Sequence, residues 1–221
     1  MSSALNKLSA VIHPALGVMQ NNRLRILRRG FYSRETVQVA RNLLGKHLVR
    51  VRGNTTMTGK IVEVEAYRGS DDPASHAFRG RTPRNAPMFG DPGRAYIYFT
   101  YGNHHCLNVT TQESGIPGAV LIRSIEPLEG LSTMRRLRPN VPEFALTNGP
   151  GKLTKALAID KTLNEVDMTK AGPLFITDTD GGHFKIARSA RVGITVATKR
   201  LWRFYISGNP YVSRSRTHQS A

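Results

Sequence analysis

Strand-like segments crowd the middle of this chain and constrain its fold more than any other feature. Apolar alternation or short apolar runs typical of strands occupy His47–Arg52, Lys60–Tyr67, Arg94–Tyr101, His105–Thr110 and Ala119–Ser124. Helical patterns are fewer and cover residues 33–45, 128–137 and 152–159, with Ser33 as the predicted N-cap of the first. Two later strands are predicted near residues 191–197 and 203–207. Strands interleaved with so few helices predict an α+β fold with a mainly antiparallel sheet.

The charge balance indicates a polyanionic partner. The 221 residues include 32 Lys and Arg against 15 Asp and Glu, a formal net charge of +17. Solubility alone rarely needs more than about 8 net charges in a small domain. Nucleic acid is the leading partner class and an anionic membrane surface the second. No stretch approaches the roughly 18 apolar residues that a transmembrane helix needs, so no membrane segment is predicted.

Cys106 is the single cysteine, which excludes an internal disulfide, a thiolate zinc site and an iron–sulfur cluster. A reducing compartment fits this usage. A lone cysteine is also a candidate nucleophile. Its position in the apolar run of residues 106–109 favours packing instead.

The N-terminal region is basic and free of acidic residues before Glu35. Its cationic residues are Lys7, Arg23, Arg25, Arg28, Arg29 and Arg34. This composition predicts a disordered basic arm over residues 1–29, and it also resembles an organellar transit peptide. The arm is favoured because most of the arginines lie beside the domain. The folded domain is predicted over residues 30–213, followed by a basic tail at 214–221.

Two carboxylates share one face of the strand Lys60–Tyr67. Alternation places Glu63, Glu65 and Tyr67 on one face and the apolar residues between them on the other. Neighbouring carboxylates repel each other, so at least one should be functional or paired with a cation. The alternative is a solvated outer face of the sheet.

A tight hairpin is predicted after Arg94–Tyr101, because Gly102-Asn103 follows at once and strand-like residues resume at His105. Tyr101 stands at the tip of this hairpin. A ring at an exposed tip buries nothing in the protein's own core. In a strongly basic protein its natural role is insertion between base pairs.

Arg123 closes the apolar run that begins at Ala119. A guanidinium that emerges from a strand buried on both faces needs a carboxylate, since an unpaired buried charge costs several kcal/mol. Glu63 and Glu65 are the two candidates, and pairing would keep one of them ionised at neutral pH. A surface arginine is the alternative.

Several motifs in this order and spacing resemble the 3-methyladenine (alkyladenine) DNA glycosylase family over residues 30–213. They are Ile-Val-Glu-Val-Glu-Ala-Tyr at 61–67, His76, Thr-Pro-Arg-Asn at 82–85, the hairpin at 96–108, residues 121–130, Gly-Pro-Gly-Lys-Leu at 149–153, Arg-Val-Gly at 191–193 and Arg-Phe-Tyr at 203–205. Each motif is weak alone, and their combination is specific.

The resemblance implies a single compact α+β domain with a curved, mainly antiparallel sheet, flanking helices and a protruding hairpin that inserts into DNA. It implies a monofunctional glycosylase of base excision repair that needs no metal or cofactor and has no lyase activity. Its substrates would be alkylated or deaminated purines (3-methyladenine, 7-methylguanine, hypoxanthine, ethenoadenine) in double-stranded DNA bound through the minor groove. A monomer is expected, in the cytoplasm or nucleoid of a bacterium, or in the nucleus or a DNA-containing organelle of a eukaryote.

The resemblance also assigns roles in catalysis and DNA binding. Glu65 would activate the attacking water, and Arg123 would help Glu65 to hold it. Tyr101 is similar to the family's intercalating residue, which fills the gap left by a flipped nucleotide. Arg84 and Lys152 would hold phosphates.

The same comparison assigns five residues to a base pocket. Tyr67 and His76 would form one wall and Tyr98 the other. Asn108 would act as a gate against the exocyclic amino group of normal guanine, and Val192 matches a pocket-lining backbone position.

The sequence departs from the family resemblance at two places, and two other functions are compatible with some of its features. The segment between Gly193 and Arg203 is shorter than the resemblance predicts, and residues 103–105 make the hairpin turn unusually polar. A non-enzymatic DNA-binding protein with the same fold is the main alternative. A glycoside hydrolase that uses Glu63 and Glu65 is disfavoured by the charge and by the position of both carboxylates on one strand face. Replacing Glu63 alone, by glutamine, is expected to cost little in the rate of base excision.

Overall fold

The computed structural model describes residues 25–100, 102–179 and 182–214, which contain nine strands and four α-helices. The strands are β1 (Arg25–Ile26), β2 (His47–Arg52), β3 (Thr55–Tyr67), β4 (Ala95–Thr100), β5 (His104–Thr110), β6 (Ala119–Glu129), β7 (Leu174–Asp178), β8 (Ile186–Ser189) and β9 (Arg203–Ile206). The helices are α1 (Arg29–Tyr32), α2 (Thr36–Leu43), α3 (Leu131–Leu137) and α4 (Pro150–Ala156). All strand pairs among the described residues are antiparallel, so the predicted α+β class and sheet type are confirmed.

The long strand β3 organises the curled sheet. The strand order is β1-β7-β2-β3-β6-β5-β4, and β9, which carries β8 on its far edge, pairs with the C-terminal part of β3. Around Glu65 the strand therefore has a neighbour on each side: Leu121 of β6 on one and Arg203 of β9 on the other. This double pairing encloses the end of β3 that carries the two carboxylates.

The apolar residues of β3 face the core, as the predicted alternation of this strand requires. Val62, Val64 and Ala66 are fully buried and belong to the main hydrophobic cluster. The helix α2 adds Val39 and Leu43, which lie on one of its faces and are also fully buried. The opposite face of β3, which carries the carboxylates, is buried as well, so the solvated outer face is wrong.

Residues 25–29, which the sequence analysis assigned to the N-terminal arm, are part of the folded domain. Arg25 and Ile26 form β1 and pair with Asp178 and Thr177 of β7, and Leu27 is buried. The last five residues of the predicted arm therefore belong to the domain. Residues 1–24 and 215–221, which make up the rest of the arm and most of the tail, lie outside the described residues.

Two helix starts differ from the prediction for local reasons. The N-cap of α2 is Glu35, whose carboxylate accepts a hydrogen bond from the Gln38 N–H at 2.9 Å, whereas Ser33 ends α1. The strand β6 continues to Glu129, so the helix predicted from residue 128 begins at Leu131. Gly130 makes this change of direction with a φ of 75°, where a side chain would collide with Met57.

The prediction of a strand at residues 191–197 is wrong, and three strands (β1, β7 and β8) were not predicted. Residues 191–197 form turns, because the Val192 N–H donates to a side chain instead of to a neighbouring strand. The strand β7 is short, and it lies between β1 and β2. The edge strand β8 alternates between exposed and half-buried residues without a strong apolar pattern. No helix among the described residues is both long and apolar enough to cross a bilayer.

Candidate active site

A cavity of ≈ 260 Å³ lies between the β4–β5 hairpin, β6 and the turn after Arg191. Its lining is rich in aromatic and polar side chains: Tyr67, Ala74, His76, Met88, Tyr96, Tyr98, Thr100, His104, Cys106, Asn108, Leu121, Arg123, Pro150, Val192, Gly193 and Ile194. Concave sites lined by aromatic side chains and placed polar groups are typical of ligand-binding sites.

The hairpin supplies one wall of the cavity by simple alternation. Tyr96, Tyr98 and Thr100 alternate along β4, and all three line the cavity. Their partners across the β4–β5 ladder are Asn108, Cys106 and His104, and these line the cavity too. Tyr101, the predicted wedge at the hairpin tip, lies outside the described residues.

The carboxylate of Glu65 is fully buried behind three residues of this lining. It accepts hydrogen bonds from the Tyr67 hydroxyl at 2.8 Å and from the Val192 N–H at 2.7 Å. Arg123 Nη1 lies 3.4 Å from Glu65 Oε1. Because Tyr67, Val192 and Arg123 also face the cavity, they lie between the Glu65 carboxylate and the cavity.

Glu63, two residues earlier on β3, has a different environment. Its carboxylate accepts hydrogen bonds from Nε of both Arg123 and Arg203, from the Ser124 hydroxyl, and from the N–H and hydroxyl of Ser213, all at 2.7–2.8 Å. With these donors both oxygens are occupied, and of the donor residues only Arg123 lines the cavity. This environment argues against a second catalytic carboxylate, and therefore against the glycoside hydrolase alternative.

The electrostatics fix the protonation of this cluster. Burial alone would raise the pKa of Glu63, but Arg123, Arg203 and the hydrogen bonds from Ser213 outweigh it and lower the pKa. Burial would lower the pKa of Arg123, and the charges of Glu65 and Glu63 raise it above its ordinary value instead. At neutral pH Glu63 is therefore ionised and Arg123 is a cation.

The hydroxyl of Tyr67 is held in its protonated form. Burial, followed by the charge of Glu65 and the hydrogen bond to it, raises the pKa of Tyr67 well above its ordinary value. The phenol therefore acts as a donor to Glu65 at physiological pH. The aromatic ring of Tyr67 remains part of the cavity wall.

His76 forms a second aromatic group with two tyrosines of β4. Its Nδ1 lies 2.9 Å from the Tyr96 hydroxyl, and its ring meets the Tyr98 ring edge to face at 4.7 Å. Burial, followed by the charge of Arg84, lowers the pKa of His76. The imidazole is consequently neutral at pH 7, so this wall carries no positive charge from His76.

Asn108 and Cys106 lie side by side on the cavity face of β5. The Asn108 amide is buried and donates to the Tyr96 carbonyl at 3.0 Å, which fixes its orientation toward the cavity. Cys106 is buried, as the packing interpretation predicts, and burial raises the pKa of its thiol. A neutral thiol is a poor nucleophile.

Arg84 and Lys152 are exposed and do not line the cavity. The Arg84 guanidinium lies 5.2 Å from the centroid of the Tyr98 ring, and Lys152 Nζ donates to Asn148 Oδ1 at 2.8 Å. Lys152 belongs to α4, whose first turn comes close to the hairpin: a side chain at Gly151 would lie 2.5 Å from the His104 ring.

The structure brings together seven of the ten residues named from the sequence: Glu65, Tyr67, His76, Tyr98, Asn108, Arg123 and Val192. The sequence analysis missed Tyr96, Thr100 and His104 as cavity residues, although alternation along the two hairpin strands indicates all three. It also missed Asp72 and the buried arginines Arg191 and Arg203. No local pattern distinguishes these from surface residues, because their partners are far away in the sequence.

The fold and the cavity define an enzyme site, and comparison with known proteins identifies its class. The chain matches the methylpurine-DNA glycosylase (MPG) family over residues 30–210. It therefore belongs to this family: it is a DNA glycosylase, a hydrolase that acts in the repair of alkylated bases.

Curated relatives match nearly the whole domain. A protein of Clostridium tetani is 47% identical over 200 residues, which cover 85% of this chain and 98% of the relative. A protein of Carboxydothermus hydrogenoformans is 46% identical over 190 residues (86% and 99%), and one of Methanocella arvoryzae is 45% identical over 193 residues (86% and 96%). All three bear the name "Putative 3-methyladenine DNA glycosylase".

Proposed function

We propose that this protein removes alkylated and deaminated purines, among them 3-methyladenine, 7-methylguanine, hypoxanthine and ethenoadenine, from duplex DNA by hydrolysis of the N-glycosidic bond. The observation that carries the proposal is the buried Glu65 carboxylate, bonded to Tyr67 and Val192, behind an aromatic cavity. The names of its relatives support 3-methyladenine as one substrate. The protein would act as a monomer wherever the cell keeps its DNA.

A base within a duplex must leave the helix before it reaches a cavity of this kind. Flipping the nucleotide costs a few kcal/mol in lost pairing and stacking. Stacking of a base on an aromatic side chain contributes about 1–3 kcal/mol, and the rings of Tyr67, His76 and Tyr98 are available for it. A positively charged alkylated purine gains further from cation–π attraction to tyrosine faces.

The chemistry assigned to Glu65 is general-base activation of water. The water oxygen bonds to C1′ of the sugar while its proton passes to Glu65, and the bond between C1′ and the purine nitrogen breaks. The electron pair of that bond leaves with the purine. Arg123, 3.4 Å from Glu65 Oε1, would help to hold the water.

The product would be an abasic site in an intact strand. A glycosylase with lyase activity needs an amine that forms a Schiff base with the sugar. Among the described residues, no lysine lines the cavity. This supports a monofunctional enzyme that uses water and no covalent intermediate.

Base selection is assigned to Asn108. Its side chain is buried at the cavity wall and held by the Tyr96 carbonyl, so a purine with an additional amino group would meet a fixed amide. Guanine carries such a group on its minor-groove edge, and hypoxanthine lacks it. A rigid gate of this type would protect normal guanine from excision.

Duplex binding is assigned to the basic surface and to the hairpin. The net charge of +17 favours a polyanion, and the exposed Arg84 and Lys152 are suited to phosphates of the minor-groove face. Tyr101 would enter the stack and fill the space of the flipped nucleotide.

A direct test uses a 5′-labelled duplex that contains one hypoxanthine. After incubation with the protein, one half of the sample is heated in alkali and the other half is left untreated. The proposal requires cleavage at the lesion only after alkali. Cleavage without alkali would refute the monofunctional mechanism. No cleavage of this duplex, or of matched duplexes that carry the other damaged purines, would refute the substrate assignment.

A further inference from the structure

A buried arginine next to the proposed catalytic centre has no role in the chemistry described so far. The side chains of Arg191 and Asp72 are both fully buried and form a two-pronged ion pair, with N–O distances of 2.6 and 2.7 Å. The guanidinium lies between two rings, 4.6 Å from the centroid of Tyr67 and 5.3 Å from that of Trp202. Such a planar, paired cation is held in one orientation.

Arg191 contacts or adjoins the groups that orient Glu65 on the side of Tyr67 and Val192. Its Nη1 donates to the carbonyl of Ala66, the residue between Glu65 and Tyr67, at 2.9 Å. Its guanidinium stacks on the Tyr67 ring, whose hydroxyl donates to Glu65. The next residue in the chain, Val192, donates its N–H to Glu65. A shift of Arg191 would therefore move both donors to this carboxylate.

Asp72 is itself fixed by the loop that leads to the cavity wall. Its carboxylate accepts hydrogen bonds from the backbone N–H groups of Arg68 and Ala74, at 3.2 and 3.3 Å. Its own carbonyl accepts from the N–H of Ser75, directly before His76. The ion pair thus connects the His76 loop to the turn that carries Val192.

We infer that the Asp72–Arg191 pair is a positioning pair for Glu65, which sets the geometry of the water-activating carboxylate without touching the substrate. The inference rests on the proposed function. A misplacement of about 1 Å at a reacting group can cost roughly 10² in rate. A change that loosens this pair should lower the rate of bond cleavage and leave DNA binding intact.

The test compares two conservative variants with a matched control. Arg191→Lys keeps the charge but loses the planar, two-pronged contact, and Asp72→Glu perturbs the pair from the other side. Arg50→Lys is the control, because Arg50 is also buried and bonded to backbone carbonyls, of Val51, Pro173 and Ala158, but lies away from the cavity. Melting temperature, duplex affinity and single-turnover excision of hypoxanthine are measured for each.

The expected result is a split between rate and affinity. Single-turnover excision by Arg191→Lys and Asp72→Glu should fall by about 10- to 100-fold, while the Kd for damaged duplex stays within about threefold of wild type. Arg50→Lys should excise at nearly the wild-type rate whatever its melting temperature. In a Glu65→Gln background, assayed on the readily released 7-methylguanine, Arg191→Lys should bring little further loss because the group that it positions has lost its charge.

Three outcomes would overturn the inference. Wild-type excision rates in both variants would show that the pair does not position Glu65. Loss of folding in both variants, with Arg50→Lys intact, would make the pair a stability element only. If Arg191→Lys lowers the excision rate in the Glu65→Gln background by the same factor as in the wild-type protein, Arg191 acts independently of Glu65. Failure of the wild-type protein to excise any damaged purine would instead refute the proposed function, so the two failures are distinguishable.

Discussion

Replacing Glu65 with glutamine keeps the shape of the side chain and removes its negative charge and basicity. The glutamine carbonyl can accept only one of the two hydrogen bonds that Tyr67 and Val192 donate, and its amide nitrogen accepts none. Loss of a general base typically costs 10²–10⁴-fold, and loss of charge stabilisation adds to it. Excision should therefore fall by about 10³ or more, equivalent to roughly 4 kcal/mol of transition-state stabilisation, while affinity for damaged duplex is unchanged or higher.

The matched variant Glu63→Gln should differ because the surroundings of the two carboxylates differ. Glu63 pairs with Arg123 and Arg203, both buried, and removal of its charge takes from Arg203 the carboxylate that it pairs with and leaves Arg123 with Glu65. Breaking a buried ion pair from one side costs about 3–5 kcal/mol. For a domain of this size, that lowers Tm by roughly 6–20 °C. The sequence-based expectation that Glu63→Gln costs little in excision stays a prediction, and the structure adds an expected cost in stability.

The assay is single-turnover excision of hypoxanthine, made at a temperature at which both variants are folded, with thermal denaturation and duplex affinity measured alongside. Glu65→Gln should show the larger loss of rate, and Glu63→Gln the larger loss of Tm. If Glu63→Gln is inactive and folded while Glu65→Gln is active, the roles assigned to the two carboxylates are reversed. If both variants excise normally, the hydrolytic mechanism is wrong.

The acid stability of the protein provides an independent check on Glu63. Because its pKa is lowered in the folded protein, the stability that Glu63 contributes is complete above its ordinary pKa of 4.5 and is lost as pH falls through the folded-state value. The difference in unfolding free energy between wild type and Glu63→Gln should therefore shrink below about pH 4.5. A difference that stays constant down to about pH 2 would contradict the ionised state of Glu63.

Three further predictions concern DNA. Tyr101→Ala should reduce excision from a fully paired duplex much more than from a mismatched site, where less pairing energy is lost; equal losses would count against a wedge. Asn108→Ser should extend excision toward unmodified guanine and spare hypoxanthine, and unchanged selectivity in a competition assay would place the gate elsewhere. Deletion of residues 1–24 should leave Tm nearly unchanged and reduce the slope of log affinity against log salt by at most about 2, since only Lys7 and Arg23 are removed. A large drop in Tm would show that this segment stabilises the domain.

Local patterns in the sequence predict much of the fold and of the cavity wall. Alternation along β4 gives the faces of Tyr96 and Tyr98, and Gly102-Asn103 gives the turn that follows them. These features depend on residues two positions apart or on a single turn, so the chain carries them without reference to distant partners. The same reasoning fails for β8, a short edge strand with one side open, because no buried face imposes a pattern on it.

Alternation alone does not distinguish the two carboxylates; the family resemblance names Glu65, and the tertiary structure gives the two groups different partners. Glu63 and Glu65 are equivalent in local pattern, since both face the same side of one strand. Ser213 and Arg203 bond to Glu63 from 150 and 140 residues away, and the Val192 N–H reaches Glu65 across 127. The sheet curls around β3 and brings these groups together, so that Glu63 is bonded to two arginines and Ser213, whereas Glu65 is bonded to Tyr67 and Val192 of the cavity wall. Periodicity in the sequence predicts the face of the strand on which a side chain lies. The protonation state and the hydrogen-bond partners of that side chain depend on the distant residues that pack against it.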